Sequence, residues 1–473
     1  MLRWSCVILA LLIAAVSVAE YLTDRPPLEQ LMFVAGRDAK AQQSLNPRAP
    51  TVIRLGIASW QMDEFPWNQA IRSYEKAHPD VRIDASVLPE DCLNSMLLFW
   101  ASDYTRFDAI VAWADEEIHP FIDYNWNTTD PARRSLLINV KDYLTPEQLA
   151  SFKPALFGGC SRKDPSGRMN IYELPWMGEV LSLNYNKKFF ERAGIARPPQ
   201  TWAEVEDACK KLSGLESGGV KVAALSMNFA KGGFFGQNCY IPMLAAFKKG
   251  RGVTDDKGRL DVASPEAIEV FSTLKRWYRA GYLSPNCLVS DSVEQDLRVL
   301  RSAMYTHWLS RGLWAIKDHG SDVIGVAPSP GAAEAGSLVA TYGCIIPKCS
   351  PVIRQTVDFC YETFCTDAHG FQTAVALGWK DPDGRTVGGG KMPATTAMYE
   401  RPDMKPEIVE LGKALDRGYS YPDPVNWGQV ADILLVEFQK YLSDASDKLT
   451  AEQALANARR RISQEVYKEG SSD

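Results

Sequence analysis

Tryptophans and phenylalanines stand beside carboxylate and amide side chains at several points of this 473-residue chain, each time just after an apolar run gives out. Trp113 and Asp115 follow the run from Phe107 to Val111, with Glu116 and Glu117 behind them, and Trp60, Gln61 and Asp63 follow Val52 to Ile57. Phe234, Phe235, Gln237 and Asn238 follow Gly232-Gly233, His307 and Trp308 follow Ala303 to Thr306, and Asn426-Trp427 opens a helical pattern near the end. An aromatic face stacks on weakly polar C–H surfaces while carboxylates and amides bind hydroxyls, so these pairs suit a small polyhydroxylated ligand held at strand ends. Each ring also has a plain structural reading. Trp113 would pack under its loop with Asp115 capping the next helix, Trp60 would cover the helix starting near Trp67, and Phe235 and Trp427 would fill a core. Glu179 lies among apolar neighbours in Trp176-Met177-Gly178-Glu179-Val180. A carboxylate buried alone is costly, so it must meet either a cleft or a cation.

Other chemistries find less support. Hydrolysis of a glycosidic bond needs two carboxylates at a fixed separation, which Asp115, Glu116, Glu117 and Glu179 could supply, but they carry no local motif. Gly388-Gly389-Gly390-Lys391 has the look of a phosphate loop. Met392 stands where Ser or Thr would hold magnesium, and no strand leads in, so it reads as an ordinary loop. His78, His119, His307, His319 and His369 are scattered singly, without metal-ligand spacing, and no Gly-x-Ser-x-Gly elbow is present. Tyr419 and Tyr421 could serve a ferric ion, but they read more simply as loop residues near Pro422 and Pro424. No catalytic residue, metal or cofactor is expected.

The elements that would position these residues follow from periodicity. Val52 to Ile57 reads as a strand, Trp67, Ala70, Ile71, Tyr74 and Ala77 mark a helix, and a strand from Val81, a helix from Glu90 and the strand Phe107 to Trp113 complete a β-α-β-α-β series with parallel pairing. Thr201 and Ser264 are N-caps, the second before Pro265, and Gly281 ends the latter helix. With 46% hydrophobic and 23% charged residues the chain can bury ample core. Its formal charge of -6, without a basic stripe, argues against nucleic acid as a partner.

Arg3, the apolar run from Cys6 to Val16 and Ser17-Val18-Ala19 predict an export signal over 1–19, cleaved or retained as an anchor, followed by a polar, proline-rich tether over 20–50. Removing Cys6 leaves nine of the ten cysteines, so at least one thiol stays free. Neither Cys344 with Cys349 on a strand nor Cys360 with Cys365 on a helix is within disulfide reach.

The run Asn184-Tyr185-Asn186-Lys187-Lys188-Phe189-Phe190-Glu191-Arg192-Ala193-Gly194-Ile195, followed by Pro198-Pro199-Gln200-Thr201-Trp202, closely resembles a segment of extracellular solute-binding proteins, family 1, which includes maltose-binding protein. Arg301-Ser302-Ala303-Met304, Ile324-Gly325-Val326-Ala327-Pro328, Gly343-Cys344-Ile345-Ile346-Pro347-Lys348 and the amphipathic Leu449 to Ile462 match in the same order, so the resemblance covers roughly 51–465. It implies an α/β, two-lobed periplasmic binding protein fold of type II, each lobe a sheet flanked by helices. Lobe one would take 51–175 and 301–343, and lobe two 176–300 and 344–470. The chain would cross between them near Leu174 to Asn184, Ala303 to His307 and Tyr342 to Pro347. The implied function is the receptor of an ABC importer, exported and monomeric, which closes on a carbohydrate and serves a membrane permease. The same fold also binds iron, polyamines and other small solutes. The resemblance makes Trp113 a stacking ring and Asp115 a hydroxyl acceptor, brings Trp60 and Asp63 to the same lobe-one wall, and puts Glu179 in a hinge. Phe235, Gln237 and Trp427 would line lobe two. His307 and Trp308 stand near the family's Gly-Pro-Trp turn, although Trp308 falls about two positions before the family's Trp and Trp314 about four after it.

Overall fold

A computed structural model of the chain describes residues 44–89, 92–113, 118–122, 124, 135–164, 167–289, 293–421 and 426–469. The expected series is present as β1 (Thr51–Ala58), α1 (Trp67–Ala77), β2 (Val81–Leu88), α2 (Cys92–Ala101) and β3 (Ala109–Trp113). β1 lies parallel to both other strands, with Ile53 opposite Ile83 and Leu55 opposite Ala109. Helix α1 buries Trp67, Ala70, Ile71 and Tyr74, the three-and-four spacing that turns one helical face inward.

The strand that organises the molecule is β4 (Leu174–Asn186). Its first half pairs antiparallel with what we label β7 (Val339–Ile345), Val339 facing Val180 and Cys344 facing Leu174, and with β8 (Met392–Pro393). Its second half pairs antiparallel with β5 (Met304–Trp308), Leu181 facing Trp308, and with β6 (Ile324–Pro328). The sheet order is therefore β6-β4-β7-β3-β1-β2, with β5 and β8 also on β4. One unbroken strand serves both lobes.

Two hydrophobic cores flank it. The first holds residues from Ile53 to Val180, Leu309, and residues from Val339 to Leu415 apart from Ala340; the second holds Leu181 to Trp308, Leu338, Ala340, and Tyr421 to Ile462. In the first, Trp67, Trp176 and Phe371 meet at 4.9 to 5.5 Å between ring centroids. In the second, Phe271 and Phe438 meet at 4.9 Å. This grouping differs from the expected division of the chain. Residues 344–415 belong with the first core because β7 stays in that sheet beside β3, Tyr342 opposite Trp113 and Ile345 opposite Ile110. Residues 301–308 belong with the second because β5 is paired along the second half of β4. The chain passes between cores within β4, around Leu338 and Val339, and again after Leu415.

Local signals explain the helix ends. Thr201 Oγ1 accepts from Glu204 N at 3.2 Å, opening α3 (Trp202–Leu212). Ser264 Oγ accepts from Ala267 N at 3.2 Å, opening α4 (Pro265–Arg279). On α4, Trp277 is buried while its neighbour Tyr278 is 38% exposed. The end of the expected tether is docked rather than loose: Ser44 Oγ and Leu45 N donate to the Glu75 carboxylate, and Asn46 Nδ2 donates to the carbonyls of Glu75, His78 and Val81. The expected signal over 1–19 and the tether up to residue 43 lie outside the described residues. Among the described residues no helix is long and apolar enough to cross a membrane. Cys209, Cys239, Cys287, Cys344, Cys349, Cys360 and Cys365 are free thiols.

Candidate ligand site at the lobe junction

Glu179 sits on β4 two residues before the second core begins, and it is 2% exposed. Of the two outcomes open to it, the structure shows a cation: Lys391 Nζ lies 2.5 Å from Oε1, while Ser310 N donates to Oε2 at 3.3 Å. Lys391 Nζ is also 3.9 Å from Glu64 Oε2, so it links the loop after β1 to the strand shared by both lobes. Gly388, Gly389 and Gly390 deliver Lys391 there, with φ of 64°, 81° and 79°. A Cβ on Gly388 would meet Glu64 O, one on Gly389 would lie 2.5 Å from Gly378 N, and one on Gly390 would meet Leu313. The glycine run is thus a close-packed arch, because neither its conformation nor its surroundings admit a side chain.

His307 and Trp308 end β5 beside this carboxylate. His307 faces Ser182 across the sheet, and Ser182 Oγ donates to its carbonyl at 3.0 Å. The imidazole is buried, and its Nδ1 accepts from Trp308 N at 2.7 Å. Burial, and then the positive charge of Arg311, hold its pKa well below the usual histidine range, so it is neutral. Trp308 caps α5 (Leu309–His319) and is 6% exposed. The His307 ring stands 5.6 Å from that of Phe234. Lys231 Nζ lies 5.2 Å from the Phe234 centroid, and Arg311 Cζ lies 4.0 Å from that of Trp314, one turn on along α5.

Deeper in lobe two the aromatic residues are packed. Phe235 is fully buried and stacks on Phe438 at 4.8 Å. Trp427 is 1% exposed, closes over Gly236 where a Cβ would strike its ring, and lies 5.3 Å from Tyr421. Tyr421 Oη donates to Gln237 Oε1 at 2.5 Å, so that hydroxyl is engaged within the protein. Gln237 and Asn238 lie on a π-helical turn, Gly236–Tyr240, an irregularity often found near functional sites. Asn238 is wholly buried and neither atom of its amide has a hydrogen-bond partner; the same holds for Gln61 in lobe one.

On the lobe-one wall Asp63 is exposed, and the backbone of Trp60 lies in the short helix Ser59–Gln61 directly after β1. Trp113 ends β3 opposite Tyr342. The side chains of Trp60 and Trp113 lie outside the described residues, as do Asp115, Glu116 and Glu117. The structure therefore gathers Glu179, His307 and Trp308 at the midpoint of β4, ties the Asp63 loop to them through Glu64 and Lys391, and places Phe235 and Trp427 in the core behind. Sequence reading missed Lys391, Lys231 and Arg311. The i, i+3 spacing of Arg311 and Trp314 on a helical pattern was a usable signal for the last.

Residues 63–351 match the family described as bacterial extracellular solute-binding protein, and the chain belongs to it. That family is one of binding proteins rather than enzymes. A binding protein of Brucella abortus (strain 2308) is 22% identical over 169 residues; the match spans 34% of this chain and 36% of that protein. Maltose-bound T. maritima MalE3 is similar with a TM-score of 0.63 and 18% identity, covering 88% of this chain and 100% of its own. The cyclic alpha-maltosyl-1,6-maltose binding protein of Arthrobacter globiformis gives a TM-score of 0.67 and 17% identity, covering 89% of this chain and 100% of its own. A solute-binding protein of Agrobacterium radiobacter in complex with ribitol gives 0.59 and 15%, covering 87% and 98%. At these identities the likeness is one of fold, and it fixes the architecture as that of the two-domain solute-binding proteins.

Proposed function

We propose that this chain is the receptor of a bacterial ABC importer, which captures a carbohydrate between its lobes and hands it to a membrane permease. The observation that carries this reading is the single strand β4, which runs from one core into the other with Glu179, His307 and Trp308 at its midpoint. A strand shared by two separately packed lobes can bend while each core moves as a body, and a ligand touching both walls favours the closed form by its differential affinity. Trp60, Asp63, Trp113 and Asp115 would supply the lobe-one wall, His307, Trp308 and Gln237 the lobe-two wall, and Glu179 the floor between. Phe235 and Trp427 would support that wall from behind. The similar structures, two of them holding maltose or ribitol and a third of a cyclic alpha-maltosyl-1,6-maltose binding protein, agree with a polyhydroxylated solute. The protein would be exported, remain monomeric and act outside the cytoplasm. Small-angle X-ray scattering on the purified protein tests the reading: a bound sugar should shrink the radius of gyration without changing the mass. A sugar that binds with no compaction would contradict closure.

A further inference from the structure

The junction divides its charges unevenly. On the β4 side, Lys391 is neutralised by Glu179, with Glu64 close by. At the same junction, among the described residues, Arg311 Nε has no hydrogen-bond acceptor and neither Arg311 nor Lys231 forms an ion pair with a carboxylate; each instead lies on an aromatic ring. Arg311 is half-buried and its Nε is shielded from solvent without an acceptor, the guanidinium resting on Trp314. Lys231 is exposed over Phe234, whose ring reaches His307. A partly desolvated guanidinium lacking a counter-ion is costly to keep, and its planar fork matches the oxygens of a carboxylate or phosphate. The neutral His307 between the two cations keeps the strip from accumulating a third charge.

We propose that the strip formed by Lys231, Phe234, His307, Arg311 and Trp314 binds an anionic group, a carboxylate or phosphate, so that the solute is an acidic sugar or polyol rather than a neutral one. This rests on the sugar-receptor reading above. The aromatic rings take the C–H face, while Arg311 grips the anion from α5 and Lys231 adds long-range attraction from the far side of Phe234.

Isothermal titration calorimetry on the full chain tests it with matched pairs: glucose and glucuronate, maltose and maltobionate, sorbitol and sorbitol 6-phosphate, with citrate and inorganic phosphate as anions lacking a sugar. The proposal expects the anionic member of at least one pair to bind tenfold or more tighter than its neutral partner. That advantage should fall as sodium chloride rises and be lost in Arg311→Gln while the variant keeps its melting temperature. Neutral members binding as well as anionic ones, unaffected by Arg311→Gln, would overturn the proposal and leave the sugar receptor standing. Arg311-dependent binding of citrate or phosphate alone would keep the anion strip and overturn the sugar. No binding by any probe would overturn both.

Discussion

The two sides of the lobe junction show opposite ways of placing charge. The Glu179 charge is answered within the protein: Lys391 and the Ser310 amide take its carboxylate oxygens, and a glycine arch holds the lysine in place. Around His307 the cations Arg311 and Lys231 lie on rings, with no anion paired to them among the described residues. The first arrangement fixes β4 where it passes from one core to the other, and the second is the strip we propose for an anionic group. A buried ion pair and cations resting on rings should therefore respond differently to mutation.

The largest effects belong to the closed side and the core behind the open one. Lys391→Met strands the buried Glu179 carboxylate and should lower unfolding free energy by about 3–5 kcal/mol in urea titration. Pairing it with Glu179→Gln should restore much of that loss. Phe235→Ala should cost a similar ~3–5 kcal/mol, because the ring is core; a normal urea midpoint would mean that Phe235 is not the packed residue described. Gly389→Ala should cost ~1–3 kcal/mol, since its φ is left-handed and its Cβ would press on the backbone of Gly378. Acidification comes next. The unfolded chain protonates His307 near its ordinary pKa of about 6.5, whereas the folded site, with its pKa depressed, does not. Stability should therefore be unaffected above that pH and fall below it, by up to about 1.4 kcal/mol per unit, with a shallower fall in His307→Gln. Arg311→Gln on the open side should change stability by less than ~0.5 kcal/mol while altering ligand selectivity. A large stability loss there would mean that the guanidinium is structural.

Much of the fold was legible because periodicity and capping are local. The β-α-β-α-β start and the Thr201 and Ser264 caps came from residue patterns within a few turns. The division into lobes was legible only in part. Whether the chain after Tyr342 stays with the first sheet depends on the pairing of β7 with β3, a long-range register that the local sequence does not encode. At the site, Glu179 announced itself as an acid among apolar residues, but its partner lies 212 positions away. The glycine run looked like a loop because sequence cannot show that Glu64, Gly378 and Leu313 close around it. Phe235 and Trp427 illustrate the converse limit: an aromatic beside an amide reads the same whether it lines a cleft or backs one.

Intrinsic tryptophan fluorescence of the purified protein, titrated with mono- and oligosaccharides, polyols, uronates, polyamines and ferric citrate, with the ligand recovered and analysed afterwards, tests the central claim most directly. A saturable change with one class of sugar or sugar acid, recovered unaltered, is expected. Conversion of the sugar to products, or silence across the sugars with a response to iron or polyamine, would contradict it.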